Sequence, residues 1–316
     1  IPAIDRPEFV AVSAADAWLR PKEPVIFFMQ NDDARAYPLQ ILIWHEIAND
    51  TVGDVPVAIT FCPLCNTAIA FDRRVGGRLL DFGTTGKLRF SDLVMYDRQT
   101  ESWWQQATGE AIVGDLTGRR LVPLPAQIIS WETFKRAFPG GTVLSRNTGQ
   151  KRPYGQNPYV GYDNIDSSPF LYRGPRDGRL RPMERVVTVS IGAEEAAYPF
   201  SVLEKVRAVN DTVGGREIAV LFENGVTSAL DQNSIADSRD VGTAGVFDRR
   251  VNGKVLTFAR AGGGFVDAQT GSAWNILGLA TAGSFKGTRL TPITHGQHFW
   301  FAWAVFWPET RVYQPR

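Results

Sequence analysis

Asn49-Asp50-Thr51-Val52-Gly53 and Asn210-Asp211-Thr212-Val213-Gly214 spell the same five residues twice in one chain. The match spreads outward from them. Upstream, at the same offset, Glu23-Pro-Val-Ile and Ala36-Tyr37-Pro38 return as Glu184-Arg-Val-Val and Ala197-Tyr198-Pro199. Downstream, after an insertion in the second copy, Phe71-Asp72-Arg73-Arg74-Val75 returns as Phe247-Asp248-Arg249-Arg250-Val251. Asp97, Thr100, Ser102 and Trp104 match Asp267, Thr270, Ser272 and Trp274, and Gly118, Leu121, Pro123 and Trp131 match Gly287, Leu290, Pro292 and Trp300. A chain written twice is its own control. Residues common to both copies read as fold, and residues found in one copy only are candidates for function.

The repeat divides the chain into a first unit at 1–147, a connector at 148–183 and a second unit at 184–316. The connector is rich in Gly, Pro, Tyr and Arg, and its aromatics need something to pack on, so it reads as ordered. Residues 56–61 and 66–71 are β-branched apolar runs, and residues 74–78 and 250–254 carry hairpin-turn chemistry. Residues 38–48 and 199–209 read as helices with Pro in the first turn, the former stopped by Asn49-Asp50. Ser130 is an N-cap for another helix, with residues 300–306 as its counterpart. The expected fold is mainly β with a few short helices, duplicated into two pseudo-symmetric antiparallel β units.

Composition narrows function by exclusion. The 316 residues carry a net charge of +1, with no basic run dense enough for a nucleic-acid footprint. No apolar stretch approaches the ~20 residues of a spanning helix. The nearest, residues 299–307, is an aromatic run that reads first as a buried helix and second as a surface for a protein partner or self-association. The chain opens on Ile1-Pro2 without Met, which fits a processed or trimmed chain. Two cysteines neither make a disulfide scaffold nor fix the redox compartment. Neither a P-loop nor a dinucleotide fingerprint is present, so no nucleotide cofactor is expected.

The cysteines belong to one copy only. Cys62-Pro63-Leu64-Cys65 falls where the second copy has Glu223-Asn224-Gly225-Val226, a turn between two strand runs. A thioredoxin-type site wants a helix N-terminus to lower the thiol pKa, so a turn weakens that reading. It suits a metal knuckle, half of a four-ligand site. A structural thiol pair, a hairpin disulfide and a working dithiol remain the alternatives. His45 is also confined to the first copy. It lies on the inward stripe Leu39, Leu42, His45, Ala48, where the second copy keeps Phe200, Leu203, Val206 and Val209. A buried imidazole needs a hydrogen-bond partner or a metal. With helix and strand back to back, His45 is expected to stay remote from the cysteines and to be a core histidine. His295 and His298 belong to the second copy only, where the first has Ala126 and Ile129. Packing about a pseudo-two-fold axis could bring Cys62, Cys65, His295 and His298 into one unsymmetrical site, with His45 a less favoured ligand. Further first-copy extras are Arg89, Ser91, Asp92, Tyr96, Arg98, Glu101, Trp103, Gln105 and Gln106, which could line a polar cleft. Arg98 is the catalytic candidate among them, the alternative being a solvated pair with Glu101.

Four stretches carry a resemblance: residues 36–50, 61–68, 91–102 and 298–303. On these the chain resembles a secreted bacterial family catalogued as domain of unknown function 3179, over nearly its whole length. The resemblance implies an extracytoplasmic protein and assigns no reaction. Three functions are therefore carried forward. The first is a metal-binding or redox-active protein holding copper or zinc on Cys62, Cys65 and histidine. The second is a thiol–disulfide protein in which Cys62 attacks and Cys65 resolves. The third is a non-catalytic module that binds a ligand or protein through its tryptophan-rich region.

Overall fold

The computed structural model describes residues 1–315, and in both copies of the repeated pentapeptide the first four residues lie in a strand that follows a short helix and the glycine in the turn after it. In the first half, Pro24–Gln30 turns back through Asp33–Pro38 into the helix Leu39–His45. The strands Ile47–Val52, Val55–Cys62 and Thr67–Asp72 then form an antiparallel meander. The second half repeats the series as Arg185–Ile191, Glu194–Pro199, the helix Phe200–Val206, Ala208–Val213, Arg216–Glu223 and Thr243–Asp248. The fold is mainly β, in several sheets, with short helices. Among the described residues, strand pairing is antiparallel apart from Thr142–Leu144 on Asp33–Pro38 and Arg311–Val312 on Glu194–Pro199, with a further parallel bridge from Ile4 to Ala48.

Residues common to both halves hold the backbone in equivalent ways. Asn49 clamps Phe82, donating to its carbonyl at 2.8 Å and accepting from its N–H at 2.9 Å; Asn210 does the same to Phe258 at 2.8 Å each. The Tyr37 hydroxyl donates to Asp50, and Tyr198 to Asp211. Asp97 accepts from the Thr100 N–H at 2.7 Å and the Trp104 indole at 2.9 Å. Asp267 accepts from Thr270 at 2.6 Å and Trp274 at 2.9 Å. Both aspartates and both indoles are buried. Asp97→Ala and Asp267→Ala will each strand a buried indole N–H and should each cost about 2–3 kcal/mol. Urea unfolding checks this; a loss at one site only would separate the two networks.

The helices are shorter than the sequence suggests. Pro38 and Pro199 are N-caps with extended backbone, not first-turn residues, and the helices end at His45 and Val206. Glu46 and Arg207 stop them in left-handed conformation, at φ of 61° and 63°, with each N–H returned to Leu42 or Leu203. Asn49 and Asp50 are thus strand residues rather than helix stops. The Ser130 side chain caps the helix Trp131–Ala137 through the Thr133 N–H, and the aromatic run forms the shorter helix Trp300–Ala304. All five residues of that last helix are buried, as the reading of the run as a core helix expects. Asn224-Gly225 does not close a tight hairpin; residues 227–242 are inserted, and Ala229 and Leu230 pack into the core that contains Cys62. A second core unites Ile129, Trp131 and Phe134 with Ala219, Phe247 and Trp274, so the halves share their interiors. Among the described residues, no helix is long and apolar enough to cross a membrane.

Candidate functional site

Val55–Cys62 and Thr67–Asp72 pair from Val57 opposite Asp72 to Cys62 opposite Thr67, leaving Pro63 to Asn66 as a four-residue turn. Pro63 suits the early turn position. Asn66 takes a φ of 51°, which its short amide side chain tolerates, and its N–H returns to the Pro63 carbonyl at 3.2 Å. The run Val57 to Cys62 is buried throughout, as in a strand covered on both faces. Both cysteines are free and buried at the end of this hairpin.

Asp92 completes a cluster. One ligand atom from each of Cys62, Cys65 and Asp92 lies within 4.8 Å of the others, and all three residues are buried. The Cys65 thiol donates to Asp92 Oδ1 at 2.8 Å, and the backbone N–H of Ala107 donates to Oδ2 at 2.9 Å. The Gln105 amide also donates to Oδ2. Gln106 braces the neighbouring strand through Thr60 Oγ1 at 2.8 Å. The sequence offers these glutamines as lining for a polar cleft; both are instead fully buried, Gln105 holding Asp92 and Gln106 holding Thr60 and the Thr67 carbonyl.

Glu46 is the residue that sequence reasoning missed. The left-handed turn at Glu46 reverses the chain directly into Ile47–Val52, whose partner is Val55–Cys62. The Phe61 N–H therefore donates to the Glu46 carbonyl at 2.8 Å, and the helix ends at the cysteine end of the strand. The expected separation of helix and cysteines assumed a helix running on to residue 48, and it fails for that reason. The signal was available: the second half has Arg207 where the first has Glu46.

Burial dominates the electrostatics. It pushes the Cys62 thiol up and the Cys65 thiol well up, each reinforced by neighbouring acidic groups. It raises Asp92 to about 6 and Glu46 to about 7, with the Asp92 charge adding to the latter. The three clustered groups, with Glu46 coupled to them through its charge, thus resist ionisation.

The connector lies over this site. Tyr162 donates to the Leu64 carbonyl at 2.8 Å and accepts from the Phe170 N–H at 3.2 Å, while Ser91 donates to the Phe170 carbonyl. Tyr154 and Tyr159 pack on the same core. Asp163, with no side-chain exposure, anchors the segment to Arg185 at 2.7 Å and Arg239 at 2.8 Å.

Among the described residues, no histidine joins the cluster. His45 is a core histidine with both nitrogens engaged, Nδ1 2.7 Å from the Pro2 carbonyl and Nε2 2.6 Å from the Tyr154 hydroxyl. His295 Nδ1 lies 2.8 Å from the Ile293 carbonyl. His298 comes nearest in the bonding sense. Its Nδ1 is 2.8 Å from Thr67 Oγ1, which also reaches the Cys65 carbonyl at 3.3 Å, and the Phe299 N–H donates to that carbonyl at 2.9 Å. The half-specific groups of the two copies therefore adjoin across Thr67 without sharing one ligand sphere. Arg98 pairs with Asp5 at the surface, not with Glu101 and not with the cysteines.

Residues 1–310 match the family described as protein of unknown function (DUF3179), and the chain belongs to that family. No curated protein and no solved structure matches the chain.

Proposed function

We propose that this protein holds a thiophilic cation, zinc foremost, on Cys62, Cys65 and Asp92. The observation that carries the reading is the convergence of two thiols and a carboxylate in a buried pocket where each is hard to ionise alone. A divalent cation reverses that penalty, because its charge stabilises the deprotonated ligands. The donor set decides between metals. Two thiolates suit both zinc and copper, while the carboxylate oxygen moves the balance from Cu(I) towards Zn(II). Three protein ligands leave one tetrahedral position open. The histidines are not part of this reading.

The thiol–disulfide alternative is supported by the Cys-x-x-Cys spacing, but its chemistry runs against the environment. An attacking sulfur must be a thiolate within reach of its partner, and here both sulfurs are covered and their pKa values raised. The family resemblance supports an extracytoplasmic setting for the metal centre, which cell fractionation tests.

Zinc titration of the apoprotein by calorimetry, in buffers of different ionisation heat, counts the protons displaced. At about pH 7.5 the two thiols should release about two protons per zinc. Near pH 5.5 the count should rise towards about three, because Asp92, raised to about 6, is then largely protonated. Affinity should accordingly fall more steeply with acidification below pH 6 than above it. Zinc uptake without proton release would remove the cysteines from the centre.

A further inference from the structure

A cleft of about 390 Å³ opens on the other side of Thr67, between strand Thr67–Asp72 and the aromatic helix of the second half. That volume lies in the ordinary range of small-molecule sites. One wall is a stack of three rings. Trp303 and Trp307 lie 3.8 Å apart at 19°, and His298 lies 5.3 Å from Trp303 at 32°. The Trp303 indole donates to Thr310 at 2.8 Å, which fixes the ring.

The floor is built by sheet register. Val186 pairs with His298 and Thr188 with Gly296, so His298 and Thr188 share one face. Gly296 makes room there: a Cβ on it would lie 2.1 Å from His298 Nε2. The His298 ring therefore lies over Gly296, with Nδ1 held by Thr67 and Nε2 without a protein partner. Thr188, 1% exposed, has a buried hydroxyl with no partner at all. Leaving such a group unpaired is costly, and the Nε2 of His295, which also lines the cleft, is a second buried atom without a partner.

The polar groups define what fits. Arg120 at the rim is already paired with Glu110 at 2.8 Å, so no free cation awaits an anion. His298 is buried and held neutral. A hydrocarbon would leave Thr188 and Nε2 unpaired. A hydroxyl both donates and accepts, so it satisfies Thr188 and either tautomer of His298, while a ring C–H face suits Trp307, the end ring of the stack.

We propose that this cleft binds a neutral polyhydroxylated ring, the chemistry of a saccharide, against Trp307 with hydrogen bonds to Thr188 and His298. The site is separate from the thiol centre and does not depend on a metal there. The test is titration of tryptophan fluorescence with maltose, cellobiose and chitobiose on the intact chain. At least one should bind with Kd below about 1 mM. Thr188→Val, which keeps the shape and removes the unpaired hydroxyl, should leave the fold intact and weaken that binding about tenfold. Trp307→Ala should weaken it at least as much, and Cys62→Ala/Cys65→Val should leave it unchanged. Failure of all three disaccharides to bind at about 10 mM, or equal affinity in Thr188→Val and Trp307→Ala, overturns the proposal.

Discussion

Asp163→Ala should cost about 3–5 kcal/mol of stability and speed the labelling of Cys62 and Cys65 by a thiol reagent. The Asp163 side chain has no exposure and accepts from Arg185 at 2.7 Å and Ser228 at 2.5 Å, with Arg239 2.8 Å away. Burial alone would raise its pKa, yet Arg185, Ser228 and Arg239 hold it below the usual carboxylate value. Removing the carboxylate leaves the buried Arg185 guanidinium uncompensated, and that charge is the source of the large effect. The pH dependence has a definite sign. A depressed carboxylate stabilises the fold above its ordinary pKa, and that contribution is lost as pH falls below about 4. Thiol access follows because Asp163 adjoins Tyr162, whose hydroxyl holds Leu64 in the cysteine turn. A loss under about 1 kcal/mol, or unchanged labelling, would mean that the connector is held elsewhere.

Cys62→Ala/Cys65→Val should keep the fold and abolish zinc binding. Valine is what the second half places opposite Cys65, and Val226 is itself buried there. The loss of apoprotein stability should be small, about 1–2 kcal/mol, from imperfect filling. Zinc affinity should fall by at least about a thousandfold, since both thiolates go. Asp92→Asn should weaken zinc less. It should also gain stability relative to the wild-type apoprotein as pH rises. The raised pKa of Asp92 means that its favourable contribution is present below about 4 and lost as pH climbs through about 6. If the double cysteine variant unfolds, the pair is a structural staple and the metal reading falls with it.

Much of this was legible because short stretches of the sequence recur. Asn49, Asp50, Asp97 and Trp104 recur with their partners, and in both halves they clamp a backbone segment or anchor an indole. Subtracting the copies isolated Cys62 and Cys65, and turn chemistry placed them correctly on a hairpin. What stayed hidden depends on contacts that sequence spacing does not encode. Asp92 reaches the cysteines because the Gln106 N–H pairs with the Leu93 carbonyl and the Ala107 N–H points at its carboxylate, a matter of sheet register. Glu46 was lost because one left-handed residue ended the helix early and turned the chain back along the cysteine strand. The histidines show the limit of the subtraction, although His45 is the core histidine that its place on the inward stripe implies. They are half-specific, but His45 is spent on Pro2 and Tyr154, and His298 is held by Thr67 on the far side of the hairpin. The connector's aromatics imply packing from the sequence, whereas their cover over the thiols depends on the tertiary contacts of Tyr162.

X-ray absorption at the zinc edge, on protein loaded with one equivalent, tests the central claim most directly. The account predicts two sulfur neighbours at about 2.3 Å, a carboxylate oxygen at about 2.0–2.2 Å and no imidazole scattering. A shell of nitrogen and oxygen alone, or a spectrum dominated by imidazole, would contradict it.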